Sequence, residues 1–187
     1  MRSIYLDYST STPIAPPVRA AMEPFLREHF AAPSSIYSLG RITSEAIEDA
    51  RSKVARLLGA DRLEITFTSG GTESNNLASV GLALSVASGG SGHLLVSSLE
   101  HESVISSALF LESLGYDIDF IPCDENGIIT PDTLNYYIRK DTFLVSITHA
   151  SFDFGTIQPI RELANVCRNR NVMLHADASQ TVGKIPV

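Results

Sequence analysis

The sequence predicts a three-layer α/β/α fold around a mostly parallel, doubly wound sheet. Three observations carry this prediction. Strand-like apolar runs alternate with amphipathic helical stripes about five times along the 187 residues. The runs are nearly continuous in apolar residues and their connections are short, as in parallel strands covered on both faces. A composition of 44% hydrophobic and 19% charged residues excludes a disordered chain and suits a sizeable core.

The first forty residues differ from the rest and predict an N-terminal arm over residues 1–40. Pro13, Pro16 and Pro17 follow a small, hydroxyl-rich stretch, and residues 31–35 form a second loop-like segment. Between these loops, residues 18–30 suit one helix, since proline is favoured in a first helical turn. We expect this arm to lie over a domain that begins at residue 41.

From residue 43 the pattern becomes regular. Apolar residues at helical spacing over 44–58 predict a helix closed by Gly59. Alternation over 64–68 predicts a short strand. Residues 73–87 suit a helix ended by the glycine-rich stretch 88–92, and the apolar run 93–97 suits a buried strand.

The same alternation continues to the end of the chain, with helix signals between short apolar runs. Thr130 suits an N-cap, and Gly115 suits a helix end. The predicted elements are a helix over 101–114, a strand over 117–121, a helix over 131–139, a strand over 142–148, a helix over 160–170 and a strand over 171–176.

Charge and cysteine content exclude several classes of protein. The 14 Lys and Arg against 21 Asp and Glu give a net charge of -7, which argues against a nucleic-acid or anionic-membrane binder. Two cysteines without a CxxC pair predict neither a disulfide scaffold nor a metal site. No signal peptide or membrane helix is predicted, and we therefore expect a reducing, cytoplasmic setting.

Ligands of such a sheet bind at the carboxyl ends of the strands, so candidate site residues are sought there. The segment Thr68-Ser-Gly-Gly-Thr-Glu-Ser74 joins a strand to a helix and suits a phosphate cradle. It is neither GxGxxG nor GxxxxGK[ST], so the standard dinucleotide and Walker interpretations fail. A simple cap and tight turn is the alternative interpretation.

Three further strand ends carry polar groups. His101 follows one strand, where a capping role is the alternative to a functional one. Phe152 and Phe154 flank Asp153 after the predicted strand over 142–148. We expect both rings to pack under neighbouring loops. Asp177 follows the last strand, where a buried carboxylate needs a cation or hydrogen bonds. A phosphate cradle opposite a carboxylate suits a ligand that has an anionic group at one end and a cationic ring at the other. Pyridoxal phosphate (PLP) is such a ligand, and several other ligands fit the same pattern loosely.

Several motifs then resemble the cysteine desulfurases of the class V aminotransferase family, in order and spacing from Ile4 to Val187. They are Tyr5-Leu-Asp-Tyr-Ser9 with Pro13, Pro33-Ser-Ser35, Thr68-Ser-Gly-Gly-Thr-Glu-Ser-Asn75, Glu100-His101, Gly155-Thr-Ile-Gln-Pro-Ile160 and His175-Ala-Asp-Ala-Ser-Gln180 with Gly183-Lys-Ile-Pro186. The resemblance implies a fold type I PLP enzyme, with residues 41–187 as a partial PLP-binding large domain. It implies removal of sulfur from L-cysteine, giving alanine and an enzyme persulfide for iron–sulfur cluster or thio-cofactor assembly. It also implies a homodimer and a sulfur-acceptor protein.

Matched residue by residue, the resemblance implies five cofactor-binding residues. Gly71 and Thr72 match the phosphate-binding turn, and His101 matches the catalytic histidine that stacks on the ring. Asp177 matches the carboxylate paired with the ring nitrogen, and Gln180 matches the amide that bonds the ring hydroxyl.

The sequence also departs from the family. Phe152 stands where the family has Asn, and Ala32 replaces the Asn of Gly-Asn-Pro. The family's Schiff-base Lys, sulfur-accepting Cys and substrate-binding Arg match nothing up to Val187. We therefore expect the fold to be incomplete at its C-terminal end and the chain to be inactive alone, with a complementary C-terminal half as a candidate partner.

None of the lysines and cysteines suits the missing roles. Lys53, Lys140 and Lys184 lie on a helix, after a helix and in the last loop, and Cys123 and Cys167 fall at a strand end and inside a helix. Two alternatives stay open: a degenerate, non-catalytic homologue acting as a binding module, and an unrelated α/β nucleotide or phosphate-ester binder.

The expected incompleteness has an architectural consequence. The strand over 64–68 should lack its neighbours, which leaves either a gap between it and the other strands or the filling of that gap by another polypeptide. Open backbone edges of this kind recruit other chains.

Overall fold

The computed structural model describes residues 3–8, 11–86 and 91–186, which group into two compact units, Met1–Phe67 and Thr68–Val187. The boundary between these units lies after Phe67, whereas the sequence predicts a boundary after residue 40. The N-terminal arm and the large domain stay predictions. None of the helices among these residues is long and apolar enough to cross a membrane.

The first unit contains two helices. Helix α1 (Pro16–Arg27) starts on two prolines, and α2 (Ser38–Leu58) begins six residues before the predicted start. Gly59 ends α2 in the left-handed conformation, with φ of 66°, which a residue with a side chain adopts reluctantly. Both helices therefore follow the predicted pattern, with boundaries shifted by a few residues.

The predicted strand over 64–68 is not a paired strand among the residues described, and its first residue, Glu64, belongs to a turn. Arg62–Glu64 form a 3-10 turn closed by reciprocal bonds: Asp61 Oδ1 accepts from Leu63 N at 2.8 Å, and Glu64 Oε2 accepts from Asp61 N at 2.7 Å. Such local bonds compete with strand pairing. Ile65, which follows the turn, is extended, and its carbonyl accepts from the Arg51 guanidinium. No strand ladder forms there among the residues described, which agrees with the expectation that this segment lacks strand neighbours.

The second unit opens with a helix of mixed geometry. Helix α3 (Gly71–Asn76) continues through a π-helical turn (Leu77–Gly81) into α4 (Leu82–Val86). Wider turns of this kind recur at functional sites. The predicted end of this helix at Ala87, and residues 88–90 of the glycine-rich stretch, lie outside the described residues.

The remaining elements form the parallel sheet and its covering helices. Their bounds agree with the predicted ones within two residues: β1 (His93–Ser97), α5 (Glu102–Ser113), β2 (Asp117–Ile121), α6 (Pro131–Tyr137), β3 (Thr142–Thr148), α7 (Ile160–Arg170) and β4 (Met173–Asp177). Thr130 caps α6 as predicted, with its Oγ1 accepting from Thr133 N at 3.1 Å.

All four strands are parallel, in the order β2-β1-β3-β4. In β1, Leu95 belongs to the core under α6 and α7, while Leu94 and Val96 belong to the core under α4 and α5. Successive side chains of a strand point to opposite faces, so the sheet has a helix layer on each side. The predicted three-layer α/β/α fold is confirmed, and β4 is an edge strand of the described sheet.

Candidate active site

A cavity of about 240 Å³ opens at the carboxyl ends of β1, β3 and β4, beside the start of α3. We call it the strand-end cavity. Its lining residues are Gly71, Thr72, Asn75, Leu99, His101, Ser103, Thr148, Ala150, Ser151, Phe152, Asp153, Asp177, Ser179 and Gln180. The structure thus brings the predicted residues Gly71, Thr72, His101, Asp177 and Gln180 to one place, while their individual roles stay predictions.

The start of α3 is held by hydrogen bonds within its own loop. The Glu73 carboxylate accepts from Ser69 N at 2.7 Å and from Ser69 Oγ at 2.5 Å, and these bonds hold the pKa of Glu73 below its usual range. A Cβ on Gly71 would lie 3.0 Å from Ser179 Oγ. Glycine therefore permits the close approach of α3 to the loop after β4.

Asp177 is the last residue of β4 and forms the anionic wall of the cavity. Its Oδ1 accepts from Ser179 N at 2.9 Å and its Oδ2 accepts from Asn75 Nδ2 at 2.9 Å. Burial raises the pKa of Asp177, but the bonds from Ser179 and Asn75 together outweigh it, so the net pKa lies below its usual value. Asp177 is therefore ionised at neutral pH.

No lysine or arginine belongs to the described lining of the strand-end cavity. Within this lining, the negative charge of Asp177 is therefore hydrogen-bonded by the Asn75 amide and the Ser179 N–H, and no lysine or arginine neutralises it. Since a partly buried carboxylate gains most from an opposite charge, the cavity favours a ligand that brings a cationic group to Asp177.

His101 is the N-cap of α5 and is exposed. Its Nδ1 accepts from Ser103 N at 3.1 Å and lies 2.8 Å from Ser103 Oγ. Gln180, on the loop after β4, accepts at Oε1 from Lys184 Nζ at 2.9 Å. These local bonds orient both side chains at the rim of the cavity.

The loop that follows β3 corrects one expectation. Phe152 is 49% exposed and Phe154 is 64% exposed, so neither ring packs under a neighbouring loop. The reason is a tight turn, in which the Ser151 carbonyl accepts from Gly155 N at 2.9 Å and leaves the intervening residues at its tip. Phe152 and Asp153 line the strand-end cavity from this turn.

Sequence reasoning assigned no role to Glu100, which lies immediately before His101. Its Oε1 accepts from Thr148 N, and its Oε2 is buried without a hydrogen-bond partner among the described residues. Burial raises the pKa of Glu100 to about 7; the charge of Asp177 adds to this, while the Thr148 amide and the Ser97 hydroxyl oppose it. The sequence signal that could have identified Glu100 is the position of a carboxylate just after the apolar strand β1.

Asn75 is the second residue whose role was missed, although it lies within the glycine-rich motif. It is 3% exposed, and its Nδ2 contacts both Asp177 and Ser103. Asparagine is common at helix starts and turns, so its type carried no signal. Its partner Asp177 is 102 residues away in sequence, and only the fold brings them together.

The lysines and cysteines lie outside this lining, as the sequence predicts. Lys53 pairs with Asp49 at 2.6 Å, and Lys184 bonds Gln180. Cys123 lies against the core under α6 and α7, and Cys167 is buried in that core, where burial raises the pKa of its thiol to about 11. A thiol in that state is a poor nucleophile at neutral pH.

Comparison with known proteins extends these observations along the whole chain. The cysteine desulfurase IscS of Dictyoglomus turgidum is 48% identical over 186 residues, covering 100% of this chain and 47% of that protein. The cysteine desulfurase IscS 1 of Archaeoglobus fulgidus is 44% identical over 183 residues, covering 98% of this chain and 47% of its own length. The chain therefore spans about half the length of these curated relatives.

Solved structures give the same result: they match nearly all of this chain and about half of their own length. SspA in complex with cysteine superposes with a TM-score of 0.95 and 38% identity, covering 99% of this chain and 53% of its own. The apo cysteine desulfurase of Thermococcus onnurineus NA1 gives a TM-score of 0.87 at 27% identity, covering 98% of this chain and 46% of its own.

The aminotransferase class-V profile matches residues 4–187, which include every wall of the strand-end cavity. This family consists of PLP-dependent enzymes, in agreement with the cofactor that the strand ends predict. The chain belongs to the class-V aminotransferase family.

Proposed function

We propose that the protein containing this chain is a PLP-dependent cysteine desulfurase, which removes sulfur from L-cysteine. One observation carries the proposal: the five residues that match the family's cofactor-binding positions line a single cavity. The relatives named above are cysteine desulfurases, and one solved neighbour, SspA, is in complex with cysteine. The alternative of a non-catalytic homologue gains no support from these relatives.

The residues present fit PLP. The cofactor has a phosphate at one edge and a protonated ring nitrogen opposite. The strand-end cavity offers a helix start where Gly71 allows close backbone approach, and an ionised Asp177 without a protein cation in the described lining. Its volume of about 240 Å³ suits a small, single-ring ligand.

Each residue then has a defined task. Gly71 and Thr72 would hold the phosphate through amide and hydroxyl donors at the positive end of α3. His101 would lie on the ring face, and Gln180 would bond the ring hydroxyl. Asp177 would favour the protonated form of the ring nitrogen. PLP itself supplies an electron-withdrawing ring that stabilises negative charge at the substrate carbon.

Thr72 offers a direct test of the phosphate assignment. We expect Thr72→Val to weaken PLP affinity by roughly tenfold, since a hydrogen bond to a charged group is lost while the side-chain shape is kept. PLP titration of cofactor-free protein by absorbance measures this, and release of alanine from L-cysteine measures the activity. Thr133→Val, in the first turn of α6 and outside the cavity, is the matched control. Equal PLP affinity in both variants and the wild type would count against the assignment.

We further propose that the covalent anchor of PLP and the sulfur-accepting thiol are supplied by residues other than those of this chain. The three lysines and two cysteines here lie outside the cavity lining, and Cys167 is buried. Under this proposal, the 187 residues of this chain are inactive with L-cysteine when no other residues are present.

The anchor can be located chemically. Borohydride reduction of the PLP-loaded full-length protein, followed by peptide mapping, should leave Lys53, Lys140 and Lys184 unmodified. Of these, Lys184 contacts a cavity residue, since it bonds Gln180. Stoichiometric labelling of Lys184 would overturn the proposal.

The proposed partners follow from the same activity. They are L-cysteine or a related amino acid, a second copy of the protein in a homodimer, and a sulfur-acceptor protein that leads to iron–sulfur cluster assembly. A complementary C-terminal half remains a candidate partner for this chain. We also propose a cytoplasmic setting. The net charge of -7 on this chain argues against nucleic acid as a partner.

A further inference from the structure

A buried amide joins the two cavity residues that are assigned to the cofactor ring. Asn75, on α3, is 3% exposed, and its Nδ2 lies 2.9 Å from Asp177 Oδ2 and 3.0 Å from Ser103 Oγ. Ser103 Oγ in turn lies 2.8 Å from His101 Nδ1. A continuous chain of hydrogen bonds therefore runs from Asp177 through Asn75 and Ser103 to His101.

The donors and acceptors along these hydrogen bonds are assigned from the charged end, Asp177. The ionised Asp177 carboxylate only accepts, so the amide nitrogen of Asn75, and not its oxygen, faces it. The second amide hydrogen goes to the Ser103 oxygen. Ser103 then has its own hydroxyl hydrogen free to donate to His101 Nδ1.

His101 Nδ1 also accepts the backbone N–H of Ser103, at 3.1 Å. With two donors directed at it, Nδ1 keeps its lone pair, and the ring proton of the neutral imidazole lies on Nε2. The tautomer of a histidine is set by the bond that its other nitrogen makes.

We propose that Asn75 is a positioning residue, which holds the Asp177 carboxylate and, through Ser103, fixes His101 with its proton on Nε2. This inference rests on the proposed function, since the ring lies between Asp177 and His101 only if PLP binds as described. In this state His101 presents an N–H donor at Nε2, and the same amide orients the carboxylate that faces the ring nitrogen.

The tautomer can be read directly by NMR of the ¹⁵N-histidine-labelled, cofactor-free full-length protein, with His101 signals identified by their loss in His101→Gln. We expect the wild type to show a protonated Nε2 and a bare Nδ1. Asn75→Asp gives Ser103 an acceptor in place of a donor, and Ser103→Ala removes the hydroxyl. Each should raise the Nδ1–H fraction by roughly fivefold, the equivalent of one hydrogen bond.

Two further variants separate positioning from general damage to the fold. Ser103→Thr keeps a hydroxyl and should restore the wild-type tautomer. Ser107→Ala removes another buried serine hydroxyl on α5, which donates to the Ser103 carbonyl at 2.7 Å, and should leave the tautomer unchanged. A wild-type Nδ1–H tautomer, or unchanged His101 signals in both Asn75→Asp and Ser103→Ala, would overturn the proposal.

A PLP titration of the same proteins distinguishes this inference from the proposed function. Asn75→Asp should weaken PLP affinity by roughly tenfold or more, because two carboxylates in contact cannot both stay ionised, and a shared proton reduces the charge that Asp177 presents to the ring nitrogen. If the wild type fails to bind PLP, the proposed function fails, while the tautomer result in cofactor-free protein still decides the role of Asn75. If PLP binds with equal affinity to the wild type and Asn75→Asp, the positioning role toward Asp177 is overturned.

Discussion

Asp177→Asn should lower L-cysteine turnover by at least roughly a hundredfold, because it removes the negative charge that faces the proposed ring nitrogen from the end of β4. The carboxylate is ionised and accepts from Ser179 and Asn75, so it is held in place before any ligand binds. The amide that replaces it has the same shape without the charge. Steady-state alanine release at saturating PLP measures the effect.

A second carboxylate in the same cavity provides the control. Asp153 lines the strand-end cavity from the exposed turn after β3. Asp153→Asn changes the cavity charge by the same amount, and we expect turnover within a few-fold of the wild type. If Asp153→Asn were as damaging as Asp177→Asn, the total charge of the cavity, and not the position of Asp177, would explain the result.

Glu100 should make the free energy of unfolding depend on pH between about 4.5 and 7. Its pKa is raised from an ordinary value of 4.5 to about 7, chiefly by burial. In this window the folded state binds a proton that the unfolded state has lost, so stability falls as pH rises. Above pH 7 the full penalty, roughly 3 kcal/mol, is present; below pH 4.5 it vanishes.

Glu100→Gln removes this titration while keeping an oxygen for the Thr148 amide. We expect the variant to gain roughly 2–3 kcal/mol over the wild type between pH 5 and pH 8. Urea unfolding of cofactor-free protein at both pH values measures the difference. Glu112→Gln, on the exposed side of α5, is the control and should show no such trend. A stability difference between Glu100→Gln and the wild type that is the same at both pH values would contradict the shifted pKa.

Local signals account for the elements that the sequence predicts well. The strands β1, β2 and β3 and the helix α7 have the predicted bounds, because apolar runs and caps such as Thr130 act over a few residues. The unpaired segment at 64–68 shows the limit of this reasoning. Alternating residues permit an extended backbone, but a strand needs a partner, and Asp61 and Glu64 close a turn instead.

The site divides in the same way. Gly71, Thr72, His101, Asp177 and Gln180 follow strand ends in a pattern that the sequence displays, so their convergence on one cavity could be expected. The roles of Asn75 and Glu100 could not, because they depend on distant partners. The Glu100 partner Thr148 is 48 residues away, and burial at that contact is what raises its pKa.

The central claim is that the strand-end cavity binds PLP with its ring nitrogen at Asp177. A crystal structure of the full-length protein with PLP tests this most directly. We expect the phosphate within hydrogen-bonding distance of Gly71 and Thr72, the ring against His101, and the ring nitrogen within hydrogen-bonding distance of an Asp177 carboxylate oxygen. PLP bound outside this cavity, or bound in it with the ring nitrogen turned away from Asp177, would contradict the claim.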